Sequence, residues 1–219
     1  MDVNVLKGST LVIGSHGAGL SPHIGMDLFI LNGVMERLGF YKSDLIAPVI
    51  INDVLTPPGG NLGSISMPAE IWYSAQQKLT FLLVRSTVKG GMRKFTDELI
   101  AFIKTCGFAN VAILTATMSP ILRERDSNRQ IPEVFAYLNN HLYKANPNFY
   151  EQNGIRKFGT WIQDVKKRPH QELGELGGAG WAGRLMKAFN RVDMPVIMFT
   201  IFCPGGVDFV GGYTYYEFL

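Results

Sequence analysis

The segment from Leu79 to Ala116 limits the fold most strongly, because it contains a buried strand, an amphipathic helix and a second buried strand in direct succession. The helix is predicted over Arg93 to Cys106, and Gly107 follows it as a C-cap residue. Its inner face is predicted to consist of Phe95, Leu99, Phe102 and Ile103. A strand that returns through a helix to a second strand makes a parallel pair, so the chain is predicted to be an α/β protein.

The chain begins with the same kind of pattern. Residues Thr10 to Ile13 predict a short strand, a glycine-rich turn runs from Gly14 to Gly19, and a helix is predicted from Ile24 to Leu38, followed by Gly39. Spacing by three and four residues predicts that the helix packs on the sheet through Ile24, Leu28, Leu31, Met35 and Leu38.

The remaining elements are predicted with less regular patterns. Two antiparallel strands lead into the buried strand that ends at Arg85, and a further strand near Pro48 belongs at an edge. A loop is predicted at 56–61, and a surface loop or a loose helical turn at 119–129. Later elements are a helix near 133–142, a strand near 154–158, a helix over 181–192 and a strand over 195–202. We therefore predict a single α/β domain over residues 1–219, with a central mostly parallel sheet flanked by helices and an antiparallel strand pair.

Composition excludes several classes of protein. Apolar residues make up 47% of the 219 residues, which suffices for a core, and a net charge of +3 predicts no polyanion-binding surface and no nucleic acid partner. Cys106 and Cys203 lie in apolar surroundings typical of reduced core thiols, although a single disulfide stays open. The N-terminus lacks a secretory signal pattern, and the run from Met194 to Cys203 is about half of the roughly 20 residues that a membrane helix requires. A soluble, intracellular protein is expected.

The loop from Gly14 to Gly19 does not match the phosphate-binding motifs. A dinucleotide fingerprint requires glycine at its first, third and sixth positions. Counted from Gly14 the third position is His16, and counted from Gly17 the sixth is Pro22. No Gly-Lys-Ser/Thr follows, so a structural turn is favoured over a phosphate cradle.

No catalytic or metal-binding set is predicted. His16 and His23 flank the loop without a cysteine or carboxylate cluster beside them, and Ser15 is typical of a turn residue. Asp27 is expected to be solvated or to cap a helix, and Arg85 to reach the surface or one carboxylate. We therefore expect no enzyme activity, no metal and no cofactor.

Aromatic residues are the features left without a catalytic role. They are Trp72, Tyr73, Trp161, Trp181 and the run from Tyr213 to Phe218. Aromatic side chains are enriched both at partner interfaces and in cores, so the two interpretations stay open at this point.

Several segments resemble the proteasome assembly chaperone 2 family. The resemblance rests on Leu11-Val12-Ile13, Ile24-Gly25-Met26-Asp27-Leu28, Leu38-Gly39-Phe40, the segments 44–49, 78–86, 95–107 and 111–115, and the glycine-rich segment 174–183. It covers about two-thirds of the chain, and residues 119–169 match poorly.

The resemblance implies a non-enzymatic chaperone without a cofactor. It implies a heterodimer with proteasome assembly chaperone 1, which binds α subunits of the 20S proteasome, promotes assembly of the α-ring and blocks off-pathway ring pairing, in cytoplasm and nucleus. Two alternatives from other classes are a nucleotide- or nucleoside-processing α/β enzyme that uses the Gly14–Gly19 loop, and a homodimeric scaffold.

The resemblance also directs attention to the last residues. Members of this chaperone class can insert a C-terminal hydrophobic-Tyr-X tail into a pocket between α subunits. The last three residues here are Glu217, Phe218 and Leu219, so the penultimate aromatic residue is present but a glutamate replaces the hydrophobic one. Tyr216, Phe218 and Leu219 are the candidate partner-binding residues; tail insertion is not carried over, and the partner chaperone could supply it.

Overall fold

The structure is a computed structural model that describes residues 3–33, 35–49, 51–52, 65–118, 132–158, 176, 178–192 and 194–219. Its strands are β1 (Thr10–Gly14), β2 (Glu36–Phe40), β3 (Ile51–Asn52), β4 (Ile65–Ser66), β5 (Ala69–Ser74), β6 (Leu79–Val84), β7 (Asn110–Thr117), β8 (Phe135–Leu138), β9 (Arg156–Lys157) and β10 (Val196–Phe202). Its α-helices are α1 (Ser21–Asn32), α2 (Met92–Cys106), α3 (Asn140–Ala145), α4 (Phe149–Asn153), α5 (Ala182–Phe189) and α6 (Phe209–Phe218). Short 3-10 helices span Val3–Leu6 and Ala18–Leu20.

One sheet of eight strands organises the described residues, in the order β2-β5-β6-β1-β7-β10-β8-β9. Its centre is parallel, because β1 pairs in parallel with both β6 and β7, and β7 pairs in parallel with β10. Strand β5 is antiparallel to β2 and β6, and β8 is antiparallel to β10. The predicted fold class is confirmed: a mostly parallel sheet with helices and antiparallel strands at its margins.

The sheet has a hydrophobic core on each side. Alternation along β1 places Leu11 and Ile13 in the core beneath α2 and α5, and Val12 in the core beneath α1 and α6. Because these strands are covered on both faces, they are apolar without interruption, as the sequence of a central parallel strand should be.

Helix α2 is confirmed, with Phe102 only partly buried, and helix α5 is confirmed but ends at Phe189, three residues before the predicted end at Val192. Phe95, Leu99 and Ile103 of α2 are fully buried, and Gly107 has the left-handed backbone conformation, with φ of 68°, that ends the helix. In α5 the predicted inward residues Leu185, Met186 and Phe189 are all buried.

The prediction for α1 is wrong in extent and in orientation. The helix ends at Asn32, and Glu36–Phe40 forms the edge strand β2 instead of a last helical turn. The buried residues of α1 are Ser21, Pro22, His23, Gly25, Met26 and Ile30, whereas Leu31 is exposed. Apolar residues surround this helix on all sides, so their spacing could not identify the inner face.

Two further predictions are corrected. The predicted helix near 133–142 is the strand β8 followed by the short helix α3, since the apolar residues Phe135 to Leu138 are all buried beside β10. Around Pro48 the chain forms a loop with one isolated bridge, between Ile46 and Val88, and β3 pairs with β4 in a separate two-stranded sheet. The predicted loops at 56–61 and 119–129 lie outside the described residues.

Both cysteines are buried and free, as their apolar surroundings predicted. Across the described ranges, none of the helices has the length and apolar character needed to span a membrane. A single domain over residues 1–219 stays a prediction.

Candidate functional surface

Helix α6 is fixed at its N-terminus to the loop that precedes α1. The Asp208 carboxylate accepts a hydrogen bond from the Gly211 amide at 2.9 Å, which is an N-cap, and a second from the Ser21 hydroxyl at 3.1 Å. The Asp208 amide also donates to the Gly19 carbonyl at 2.9 Å. Because one residue holds both helix starts, α1 and α6 begin side by side.

Tyr215 anchors the middle of α6 beneath the sheet. Its ring is fully buried, and its hydroxyl lies at hydrogen-bonding distance from the carbonyl oxygens of Thr115 and, at 3.0 Å, Phe199. Burial raises the pKa of this phenol, so it stays a neutral hydrogen-bond donor at physiological pH.

The two helices touch at glycines. A Cβ atom added to Gly25 would lie 2.6 Å from the Cβ of Tyr215, and one added to Gly212 would lie 2.4 Å from Cγ2 of Ile24. Hydrogen in place of a side chain therefore lets the backbones of α1 and α6 approach closely. The pair forms one layer, and the inner side of this layer packs on the sheet.

The outer side of this layer is apolar and exposed to solvent. The exposed fraction is 71% for Phe209, 55% for Tyr213, 52% for Val210 and 49% for Leu31. Leu20 and Val207, in the loops before the two helices, are also exposed. We call these six residues the α1/α6 face. Surface helices normally turn polar residues outward, so this concentration makes the α1/α6 face the candidate surface for binding another protein.

The predicted partner-binding residues lie at the end of α6 beside this face. Tyr216 is half-buried, with its ring centroid 6.0 Å from that of Tyr213. Phe218 packs edge-on against Phe199 with 4.6 Å between ring centroids, and Leu219 packs on the same core. Their role in binding stays a prediction.

The other aromatic candidates belong to the core. Trp72, Tyr73 and Trp181 are buried, and Trp181 packs edge-on against Phe95. Trp161 lies outside the described residues. Of the two interpretations that the sequence left open, core packing holds for these three side chains, and partner contact remains open for the exposed rings of α6.

The Gly14–Gly19 loop is filled by the chain itself. The Ala18 amide donates to the Gly178 carbonyl at 2.7 Å, and a Cβ atom on Gly180 would lie only 1.9 Å from the carbonyl oxygen of His16. A phosphate cradle requires free amides and open space above them. These contacts favour the structural turn over the nucleotide-binding alternative.

The two loop histidines lie together without forming a metal site. Their ring centroids are 5.8 Å apart, and His23 Nε2–H donates to the Val84 carbonyl at 2.9 Å. Throughout the described part of the chain there is no group of three or more His, Cys, Asp or Glu that could hold a metal ion. Ser15 acts as a structural residue, since its hydroxyl donates to the Ala179 carbonyl at 2.9 Å.

An ion-pair network links α1 to the sheet, and the sequence did not predict it. Arg85 donates two hydrogen bonds to Asp27, at 3.0 and 2.6 Å, and its Nε lies 3.6 Å from Glu70. Glu70 is completely buried and also accepts hydrogen bonds from Arg37 at 3.2 Å and from the Trp72 indole at 3.3 Å. Asp27 was expected to be solvated or to cap a helix, and instead it binds Arg85. Arg85 was expected to reach the surface or one carboxylate, and instead it lies between two carboxylates.

His23 should make stability depend on pH. Its pKa is lowered to about 4 because the ring is buried, with smaller contributions in the same direction from the charges of Arg85 and His16. Unfolding exposes the ring and restores an ordinary pKa of about 6.5, so the unfolded state binds more protons than the native state between these values. The free energy of unfolding should therefore fall by about 2 kcal/mol from about pH 7.5 to about pH 5.

Urea titrations at several pH values measure this effect. His23→Gln retains a donor toward Val84 and should flatten this part of the profile, whereas His141→Gln on α3 should leave it unchanged. An unaltered slope in His23→Gln would contradict the assignment.

The fold has the architecture of proteasome assembly chaperone homologues. Pyrococcus furiosus PbaA, an archaeal homolog of proteasome-assembly chaperone, superposes with a TM-score of 0.68 at 14% identity, covering 96% of this chain and 79% of that chain. Pyrococcus furiosus PbaB, an archaeal proteasome activator, superposes with a TM-score of 0.60 at 13% identity, covering 97% of this chain and 85% of that chain. At these identities the likeness shows the fold.

Sequence comparison gives a more specific likeness, and the resemblance drawn from the sequence is confirmed: the curated relatives that match are named proteasome assembly chaperone 2. The human protein is 29% identical over 115 residues, which are 52% of this chain and 44% of that protein. The Nematostella vectensis protein is 23% identical over 212 residues, which are 91% of this chain and 83% of that protein. The match to the human protein thus spans less than half of its length. No family model matches the chain.

Proposed function

We propose that the chain is a non-enzymatic chaperone of proteasome assembly. It acts as a heterodimer with proteasome assembly chaperone 1, binds α subunits of the 20S proteasome, promotes assembly of the α-ring and blocks off-pathway ring pairing, in cytoplasm and nucleus. The observation that carries the proposal is the α1/α6 face, because a two-helix layer that is apolar on both sides requires a protein partner to cover its outer side. The identity of that partner is what the resemblance to the proteasome assembly chaperone 2 family implies, and the relatives' names support a role in proteasome assembly.

The geometry gives more support to binding than to chemistry. The loop at the carboxyl end of β1, where open α/β sheets commonly hold ligands, is packed by residues 178–180. The charge of the buried Glu70 and the partly buried charges of Asp27 and Arg85 are paired with one another. The exposed aromatic and aliphatic side chains of α6 are the kind that form the centres of protein interfaces.

The end of α6 contributes to the same binding event in this proposal. Tyr216 extends the row of aromatic rings that starts at Tyr213. Phe218 would have to leave its contact with Phe199 to enter a pocket on an α subunit. We therefore assign Tyr216 to the bound surface directly, and the contacts of Phe218 and Leu219 with the core are a reason to leave tail insertion out of the proposal.

Replacing Phe209 with aspartate should weaken association with the partner chaperone strongly. An aspartate at the start of α6 is compatible with the helix dipole and faces solvent, so the free energy of unfolding should change by no more than about 0.5 kcal/mol. Burying its charge in an apolar interface should weaken binding by about 2 kcal/mol or more, which is about 30-fold. Co-expression of tagged chain, proteasome assembly chaperone 1 and α subunits, followed by quantitative pull-down, measures the loss.

The matched control is Tyr143→Asp, which adds the same charge at an exposed aromatic residue of α3, away from the face. It should retain both partners. Failure of the unmodified chain to recover either chaperone 1 or α subunits would refute the proposed function. Equal recovery with Phe209→Asp would show that another surface binds.

A further inference from the structure

The two helical layers differ in the charges they carry. The sequences of α1 and α6 contain no lysine or arginine, and their charged residues are Asp27 and Glu217. The layer on the other side of the sheet is rich in basic residues, namely Arg93, Lys94 and Lys104 of α2 and Arg184 and Lys187 of α5. The α1/α6 face is therefore free of basic residues in a chain with a formal net charge of +3.

The ends of the helices show the same difference. A helix C-terminus has a partial negative charge, and a basic residue in the last turn compensates it. Lys104, Lys144 and Lys187 occupy that place in α2, α3 and α5, whereas the last turns of α1, α6 and the short helix α4 have no basic residue. In α6 the last turn contains Glu217, which adds to the negative charge.

The uncompensated ends lie at the same side of the molecule. Both helices follow parallel strands, start together at Asp208, and remain in contact at Gly25 and Gly212, so they run in the same direction. Their C-termini and the exposed Glu217 therefore combine into one negative region beside the apolar face. Asp27 does not add to it, since Arg85 neutralises its charge.

We propose that the α1/α6 face binds a different polypeptide, whose own surface carries an apolar stripe with arginine or lysine residues at one end. These basic residues contact Glu217 and the C-termini of α1 and α6. The inference rests on the proposed function, in that this face is the partner surface. A second copy of this chain would bring an identical face that lacks basic residues, so it could not compensate the negative region. The exposed ring of Tyr213 and the half-buried ring of Tyr216 also suit an arginine, since guanidinium groups stack on aromatic faces.

Charge reversal at Glu217 tests the inference in the complex with proteasome assembly chaperone 1. Glu217→Lys should weaken association about tenfold and Glu217→Gln by less, and the difference should shrink at high salt. Asp97→Lys, the same reversal of charge at an exposed residue of α2 on the other side of the sheet, should bind normally. Equal affinities for the Glu217→Lys variant and the unmodified chain would overturn the inference.

Two measurements separate this inference from the proposed function. Sedimentation of the purified chain alone should show a monomer, and a dimer that dissociates in Phe209→Asp would overturn the inference. Two synthetic amphipathic helices with the same leucine face and either lysine or glutamate on both flanks are the second probe. The lysine peptide should bind at least about tenfold more tightly, and only to chains that retain Phe209. If the lysine and glutamate peptides bound with equal affinity, the charge argument would be refuted even if chaperone 1 bound the chain. If the lysine peptide bound more tightly, the charge argument would hold even if chaperone 1 did not bind.

Discussion

Replacing Glu70 with alanine should lower the free energy of unfolding by about 3–5 kcal/mol, the largest stability loss that we expect from a single side chain of this protein. Glu70 is fully buried on β5 and accepts hydrogen bonds from Arg37, from the Trp72 indole and, at 3.3 Å, from the Met67 amide. Its removal takes away the acceptor of the Trp72 indole and of the Met67 amide, and leaves Arg85 with one carboxylate, Asp27. The cost of the buried, unpaired donors is what makes the effect large.

Urea unfolding of Glu70→Ala, Arg85→Met and the double variant measures the network. Glu36→Ala is the matched control, because it removes an exposed glutamate from the neighbouring strand β2 and should change stability by no more than about 0.5 kcal/mol. Residues in one network should be coupled, so the double variant should lose less than the sum of the two single losses. A loss below about 1 kcal/mol in Glu70→Ala would mean that water replaces the carboxylate at little cost.

The sheet could be predicted from the sequence because its strands are buried on both faces. Such strands are continuous apolar runs, and two of them joined by an amphipathic helix form a parallel pair with the helix packed on the sheet. This holds for β6, α2 and β7, where Phe95 and Leu99 were assigned to the core and are found there. The sheet margins were harder, and β8 was mistaken for a helix because a short apolar run suits either structure.

The candidate surface could not be predicted, for a related reason. Periodicity identifies the inner face of a helix only when the other face is polar, and α1 and α6 are apolar all round. The stripe assigned to the core includes Leu31, which lies on the exposed face. The available signal was the absence of lysine and arginine from both helices, which is unusual for helices that cover a sheet.

The ion-pair network was missed because its members are distant in sequence. Asp27 and Arg85 are separated by 58 positions, and each looks like an ordinary surface charge when considered alone. Glu70 offered a better signal, since a glutamate between Ala69 and Ile71 in a strand without polar alternation has to be buried with a partner. Sequence alone does not indicate which of the chain's cations that partner is.

The contact between α1 and α6 gives the second large effect, in Gly25→Leu. A Cβ atom at this position would lie 2.6 Å from the Cβ of Tyr215 and 2.9 Å from the carbonyl oxygen of Gly212, so α6 must move away from α1. Leucine has a higher helix propensity than glycine by somewhat under 1 kcal/mol, and this gain opposes the clash. Overpacking against backbone costs about 3 kcal/mol or more for a side chain of this size, so the net effect should be a clear loss of stability.

Gly25→Ala and Leu31→Ala complete the series on the same helix. Gly25→Ala adds only the clashing Cβ and should cost less than Gly25→Leu, while Leu31→Ala changes an exposed residue and should stay within about 0.5 kcal/mol. The Gly25 variants should also weaken partner binding, because displacement of α6 moves Phe209 and Tyr213 relative to Leu31. Thermal unfolding and the pull-down with chaperone 1 should therefore decline together across Gly25→Ala and Gly25→Leu. If stability declined while binding did not, the two helices would not act as one surface, and the partner would contact only one of them.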